Sequence, residues 1–284
     1  MKNKEIVRIN HNTAKHWVGD GFPVSTMFSY HTQGNDISPF LLLDYAGPAE
    51  FLPSDKPRGV GIHPHRGFET VTIVYQGEVE HKDSAGNSGK IAVGDVQWMT
   101  AASGVLHEEM HSREFTKKGG TLEMVQLWVN LPAKHKMSSP RYQEILSANI
   151  PVVDLPDNAG YVRLIAGEYN DTKGAAKTFT PMELWDIRLR AGSKVSLKLT
   201  DGYTSSLLVL SGELSIGSDS LTARELAQFS RDGDIIELSA SQDSSLLLMA
   251  GEPIDEPIAG YGPFVMNSTE EIQQAMVDYS TGKF

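Results

Sequence analysis

The chain has 284 residues, 40% hydrophobic and 21% charged, the make-up of a globular protein large enough for two domains or for one large barrel. A formal charge of −11, from 36 acidic and 25 basic residues, argues against general nucleic-acid binding, in which Lys and Arg neutralise phosphates. The absence of cysteine excludes disulfides, thiolate metal sites, iron–sulfur clusters and cysteine nucleophiles, so any metal must be held by imidazole and oxygen.

Met1-Lys2-Asn3-Lys4-Glu5-Ile6-Val7-Arg8 has no apolar signal core, and runs such as Leu41-Leu42-Leu43 are too short to cross a bilayer. The expectation is a cytoplasmic protein with no membrane partner. Further along, apolar segments are short, alternating and rich in Val, Ile, Thr and aromatic residues. Thr70 to Tyr75, Leu122 to Val129 and Leu207 to Leu210 read as strands, with turns at Gly77-Glu78, Gly94-Asp95, Gly212-Glu213 and Asp232-Gly233-Asp234. Such punctuation predicts an all-β sandwich or barrel. Val74-Tyr75-Gln76-Gly77-Glu78-Val79 is echoed by Val209-Leu210-Ser211-Gly212-Glu213-Leu214, 135 residues on, and Gly94-Asp95-Val96 by Gly233-Asp234-Ile235, 139 residues on. Two landmarks in the same order imply a duplicated β unit. The stretch between the copies contains Pro132, Pro140, Pro151 and Pro156 and reads as linker, with a helical turn near Tyr142 to Leu146. Near the end, Ser268-Thr269-Glu270-Glu271 forms a capping box, and Ile272, Met276 and Tyr279 give a final helix one apolar face, expected to pack on the first domain.

The chemistry concentrates in the first copy. All nine histidines precede the second. His63-Pro64-His65 and His107-Glu108-Glu109 are i, i+2 pairs, and on strands each pair shares a face, so His63, His65, His107 and Glu109 can converge on one ion and leave positions open for water, dioxygen or substrate. Counting forward from the Gly-Asp landmark, Leu246 and Leu248 stand where the first copy has His107 and Glu109, which implies one metal site per chain. Glu69 is ambiguous: a fifth ligand, a base, or a partner for Arg66, nominally on the same face as His65. His107-Glu108-Glu109-Met110-His111 also satisfies the zinc-peptidase pattern His-Glu-x-x-His, but that pattern needs a helix, and on a strand the two histidines lie about 13 Å apart. His11, His31 and His81 read as solvated or hydrogen-bonded. Gly59-Val60-Gly61 reads as a turn into the His63 strand, because Pro64 interrupts any nucleotide loop.

Several segments, in order, resemble the pirins of the cupin superfamily. They are Ser38-Pro39-Phe40-Leu41-Leu42-Leu43-Asp44, His63 to Val71, Gly94 to Ala101, Gly104 to Met110, Gln126-Leu127-Trp128-Val129-Asn130-Leu131 and Gly262-Pro263-Phe264-Val265-Met266-Asn267. The resemblance implies two cupin-type β-barrel (jelly-roll) domains with a short C-terminal helix. The domains are expected at 1–135 and 159–284, with 136–158 as linker and no metal ligands in the second. It implies one divalent ion, iron(II) first, with copper, manganese, nickel, cobalt or zinc as alternatives, held by His63, His65, His107 and Glu109. The usual first-motif glutamate of cupins would fall at Glu69, whereas pirin-like proteins use the one two residues past the last histidine, here Glu109. Two roles follow from the resemblance. One is a dioxygenase of the quercetinase type, acting on a small aromatic substrate with O2, with Glu109 or Glu69 taking the proton. The other is a redox-sensitive module that binds a protein partner as a transcriptional cofactor.

Overall fold

The computed structural model describes residues 2–11, 14–84 and 86–284. The alternating segments fold as strands: Phe68–Gln76, Gly120–Asn130 and Thr204–Ser211 contain the three read from β-branched and aromatic content. The strand Val105–His111 shows the period most plainly, since Val105, His107, Glu109 and His111 are buried and the residues between them are half-buried.

The strands gather into two compact units interleaved along the chain. One comprises Ala14–Asn35, Phe40–Ser147 and Ile254–Phe284, the other Met1–Thr13, Asp36–Pro39 and Ala148–Pro253. The expected limits of 1–135 and 159–284 are therefore corrected. The strand Ile6–Asn10 pairs with Leu226–Phe229 and so completes a sheet of the second unit. Within the expected linker, Tyr142 to Leu146 forms no helical turn, because Arg141–Ile145 pairs with Val96–Thr100 as an edge strand of the first unit. The residues from Ile254 onward, helix included, belong to the first unit.

Each unit sets a seven-stranded sheet against a four-stranded one. In the first, the large sheet runs Arg141–Ile145, Val96–Thr100, Phe68–Gln76, Gly120–Asn130, Phe40–Phe51, Phe22–Ser29, His16–Val18, and the small one Gly59–His65, Val105–His111, Val79–Asp83, Ser88–Ile91. In the second, the order is Ile6–Asn10, Leu226–Phe229, Thr204–Ser211, Ser244–Gly251, Met182–Leu189, Gly160–Ala166, Val152–Asp154, with Lys194–Lys198, Ile235–Ala240, Glu213–Ile216, Asp219–Thr222. The two orders match strand for strand. Cores form between the sheets: Phe22, Val74 and Met124 meet Val79 and Ile91 in one unit, and Trp185, Leu207 and Leu248 meet Leu197, Leu214 and Leu238 in the other. Both units are jelly-roll sandwiches.

The repeat read from the sequence is real, but only its first landmark pairs equivalent residues. Gly77 (φ 85°) and Gly212 (φ 90°) make the same left-handed turn between equivalent strands. The counterpart of Gly94-Asp95 is Arg224-Glu225. Gly94 donates to Val74 O and Asp95 O accepts from Val74 N, while Arg224 donates to Val209 O and Glu225 O accepts from Val209 N. Gly233-Asp234 instead leads into Ile235–Ala240, the counterpart of the His107 strand. The residues matching His107 and Glu109 thus lie on that strand, and Leu246 and Leu248 do not match them. Neither Ile235–Ala240 nor Lys194–Lys198 carries a histidine, so the second unit still lacks the ligands.

The final helix is Thr269–Ser280, and its capping box forms: Ser268 Oγ accepts from Glu271 N at 3.3 Å, and Glu271 Oε2 accepts from Ser268 N at 3.1 Å. Its buried residues are Ile272, Ala275 and Asp278, whereas Met276 and Tyr279 are exposed. The face is rotated from the apolar stripe because Asp278 turns inward to meet Arg66.

Candidate metal centre

Pairing of Gly59–His65 with Val105–His111 sets His107 directly opposite His63, and directly opposed residues of an antiparallel pair share a face. His65 follows two residues on. The ring centroids of the three histidines lie 4.2 to 4.8 Å apart, and one nitrogen from each falls within 4.8 Å of the others. His63 Nδ1 meets the Gly61 carbonyl at 2.9 Å, which directs Nε2 to the cluster. His65 bonds the Pro263 carbonyl and keeps an Nδ1 without a partner among the described residues, and both ring nitrogens of His107 are likewise without one. Burial, reinforced by the neighbouring imidazoles, holds the pKa values of His65 and His107 well below the usual range, so their lone pairs stay free. The buried, neutral His65 and His107 with their orphaned nitrogens, joined by the half-buried His63, fit a divalent cation.

The turn that carries His65 is held by residues near the end of the chain. Arg66 N donates to Pro263 O, Val265 N donates to Arg66 O, and the Arg66 guanidinium pairs with Asp278 at 2.8 Å. Gly67 has φ 91°, and a Cβ there would meet Val265 O at 1.9 Å, so only glycine fits. Lys136 Nζ donates to Gly67 O, Val265 O and Asn130 Oδ1.

Glu109 lies on the histidine face but is not among the clustered donors. A bulge between His107 and Glu109 shifts the register, so Glu109 pairs with Val60. Gln126 Nε2 donates to both its oxygens, at 3.2 and 3.0 Å, and Thr72 Oγ1 lies 3.4 Å from Oε1. Phe68 and Trp128 pack around His65 from the large sheet, with ring centroids 5.1 and 5.4 Å away.

Glu69 is not brought to the histidines. Phe68 and Thr72 face the cluster, so Glu69, of opposite parity on the same strand, faces away. The i+4 spacing from His65 misleads because the chain turns at Gly67 and enters the other sheet. Thr100 Oγ1 donates to Glu69 Oε1 at 2.6 Å, and burial pushes the carboxyl up to about 7. Glu69 is thus a buried acid of the sheet, on the face away from the histidines. The peptidase pattern is likewise not realised. Its residues are a strand, and His111 bonds Gly21 O and packs among Phe22, Phe51 and Phe115.

His81, read from the sequence as solvated or hydrogen-bonded, is buried, and the Tyr142 hydroxyl lies 3.4 Å from its Nδ1. It sits opposite Glu109 on Val79–Asp83, is 4% exposed, and stacks on Tyr142 with ring centroids 4.7 Å apart. Its Nε2 has no partner among the described residues. The alternation Val79, His81 after the Gly77 turn signalled an inward histidine, but the strand's neighbour was invisible without the topology.

Tandem jelly-roll units, one with a three-histidine cluster, define a bicupin. Family models settle which kind: the one described as Pirin matches residues 21–129, and the one described as Pirin C-terminal cupin domain matches 184–284. The chain belongs to the pirin family. It is 58% identical over 281 residues, covering 99% of itself and 98% of the relative, to a Pseudomonas aeruginosa protein provisionally named quercetin 2,3-dioxygenase. It is 40% identical to mouse pirin, over 87% of this chain and 83% of that one. A crystal structure described as quercetin 2,3-dioxygenase from Acinetobacter baumannii matches with a TM-score of 0.97 at 51% identity, covering 99% of this chain and 98% of that one.

Proposed function

We propose that the first unit is a metal-dependent dioxygenase centre of the quercetinase type, cleaving a flavonol-like aromatic substrate with O2. The observation that carries the reading is the histidine cluster with its orphaned nitrogens, and the relatives' names agree with it. His63, His65 and His107 would hold the ion, with Glu109 as the fourth ligand named from the i, i+2 pattern. Iron(II) is the first choice, and copper, manganese, nickel, cobalt or zinc suit the same donors. The ion supplies a positive charge that stabilises a substrate oxyanion and a site for redox chemistry with O2.

The chain's own groups do the rest. Glu109 Oε1 or Oε2 takes the proton of the substrate hydroxyl, and Gln126 Nε2 fixes the carboxylate while it does so. Phe68 and Trp128 exclude water from the face of His65. His81, stacked on Tyr142, closes the far side of Glu109.

A second reading is a metal-containing module that binds a protein partner without turnover. One observation favours it. A cavity of about 150 Å³ against His107 is lined by Ile62, Leu106 and Glu108, which alternate with the histidines and so open on the outer side of the strand pair, and it is too small for a flavonol. Anaerobic reconstitution with each metal, followed by oxygen uptake with quercetin, separates the two. Uptake above that of free metal supports the dioxygenase, and none supports the module.

A further inference from the structure

The inner face of the large sheet in the first unit carries a second carboxylate, Asp44, that the metal site leaves unused. Phe40–Phe51 pairs with Gly120–Asn130 so that Leu42, Asp44 and Ala46 stand opposite Trp128, Gln126 and Met124, and Phe22–Ser29 sets Thr26 opposite Asp44. Opposed residues share a face. Ala46 and Met124 belong to the core between the sheets, so Asp44 also points inward, beside the Gln126 that holds Glu109.

That face is closed on one side and open on the other. Toward Val96–Thr100, the side chains of Phe68, Thr70, Thr72 and Met99 are buried. Toward Phe22–Ser29, Thr26, Leu42, Gln126 and Trp128 are only half-buried, as is His63 across from them on the small sheet. The way in to the histidines therefore runs past Asp44. Thr26 Oγ1 donates to Asp44 Oδ1 at 2.6 Å, whereas Oδ2 has no partner among the described residues and is not sealed from solvent. Burial raises the pKa of this carboxyl, and the Thr26 hydroxyl and the charge of His16 offset that only in part. An uncommitted carboxylate oxygen that can be reached from the opening calls for a donor from a ligand.

We propose that Asp44 is a specificity-determining residue of the metal centre: its Oδ2 accepts a hydrogen bond from a substrate hydroxyl other than the one Glu109 deprotonates, so that the site selects polyhydroxylated aromatic molecules. The inference rests on the reading of the first unit as a site for flavonol-like substrates. Leu42 and Trp128, opposed to each other two residues along the same strand pair, supply apolar surface on which a ring can lie while its hydroxyl meets Asp44. An analogue without that hydroxyl leaves the carboxylate stripped of water and without a donor, and a site of this kind discriminates strongly against it.

Kaempferol is the probe, because it carries hydroxyls on both ring systems without the adjacent pair with which a catechol strips metal. The control is 3-hydroxyflavone, which keeps the reacting hydroxyl and no other. Both are titrated against the full chain loaded with zinc, which is redox-inert, so that binding is read by absorbance without turnover. The parent should bind kaempferol about tenfold or more tighter than 3-hydroxyflavone. In Asp44→Leu, which has no acceptor, the preference should vanish through loss of kaempferol affinity, while 3-hydroxyflavone affinity and zinc content match the parent. If Asp44→Leu fails to fold, Asp44→Asn carries the test, since loss of the charge should cut the preference severalfold. No kaempferol binding, no preference in the parent, the same preference in parent and variant, or an equal loss for both flavonols would overturn the proposal. Kaempferol binding with the expected preference but no oxygen uptake by the iron(II) form would refute dioxygenase turnover and leave the Asp44 contact standing.

Discussion

Replacing Lys136 by methionine tests how the turn beside His65 is held. The ammonium is 1% exposed and donates at 2.7 Å to Gly67 O, 2.9 Å to Val265 O and 2.6 Å to Asn130 Oδ1. Methionine fills the same space but leaves the two carbonyls without this donor, while Asn130 Oδ1 keeps the Leu131 N–H. Each unsatisfied buried acceptor costs roughly 1–3 kcal/mol, so Lys136→Met should lose about 2–6 kcal/mol at pH 7. Burial pulls the folded-state pKa from 10.5 down to about 7, although the three oxygens favour the ammonium. Between those values the unfolded chain holds a proton that the folded one lacks. The stability of the parent chain therefore rises with pH across this window, by up to about 1.4 kcal/mol per unit, and the variant lacks that rise. Urea unfolding at pH 7 and pH 9 measures both effects, and the gap between the two proteins should widen at pH 9. A variant as stable as the parent at pH 7, or a gap that does not change with pH, would refute the reasoning.

Glu69→Gln addresses the opposite window. The folded carboxyl titrates at about 7 against 4.5 in the unfolded chain, so the parent loses stability as pH rises through that range and the amide does not; unfolding at pH 5 and pH 7.5 should show the variant gaining on the parent by about 1–3 kcal/mol. His63→Ala and His107→Ala should each leave the purified protein with less than about a tenth of the parent's metal by elemental analysis, since each removes one of three imidazoles. Gln126→Leu frees the Glu109 carboxylate from its amide, and metal affinity measured by competition with a chelator should fall about 10–100-fold; unchanged affinity would show that this bond does not orient a ligand.

What the sequence disclosed depended on whether the signal was local. His63, His65 and His107 were legible because a period of two is a property of any strand, and the pairing register then placed His107 opposite His63. Parity counts only within one strand, so Glu69 was placed on the wrong face once Gly67 turned the chain into another sheet. Gly94-Asp95 and Gly233-Asp234 look alike because any strand can follow such a turn; only the hydrogen bonds to Val74 and Val209 identify Arg224-Glu225 as the true counterpart. His81 and Gln126 reach Glu109 from neighbouring strands, and neighbours of that kind are set by topology. The ends of the chain pair with strands far away in sequence, beyond the reach of composition or spacing.

That exchange of ends bears on synthesis. Residues 14–147 of the first unit leave the ribosome long before Ile254–Phe284, which supply the carbonyl that bonds His65 and the carboxylate that pairs with Arg66. The second unit, by contrast, has its N-terminal strand waiting from the outset. The first unit can complete its seven- and four-stranded sheets once Ile145 has been made, but its histidine site acquires full support only when residues 254–284 follow, after the whole second unit.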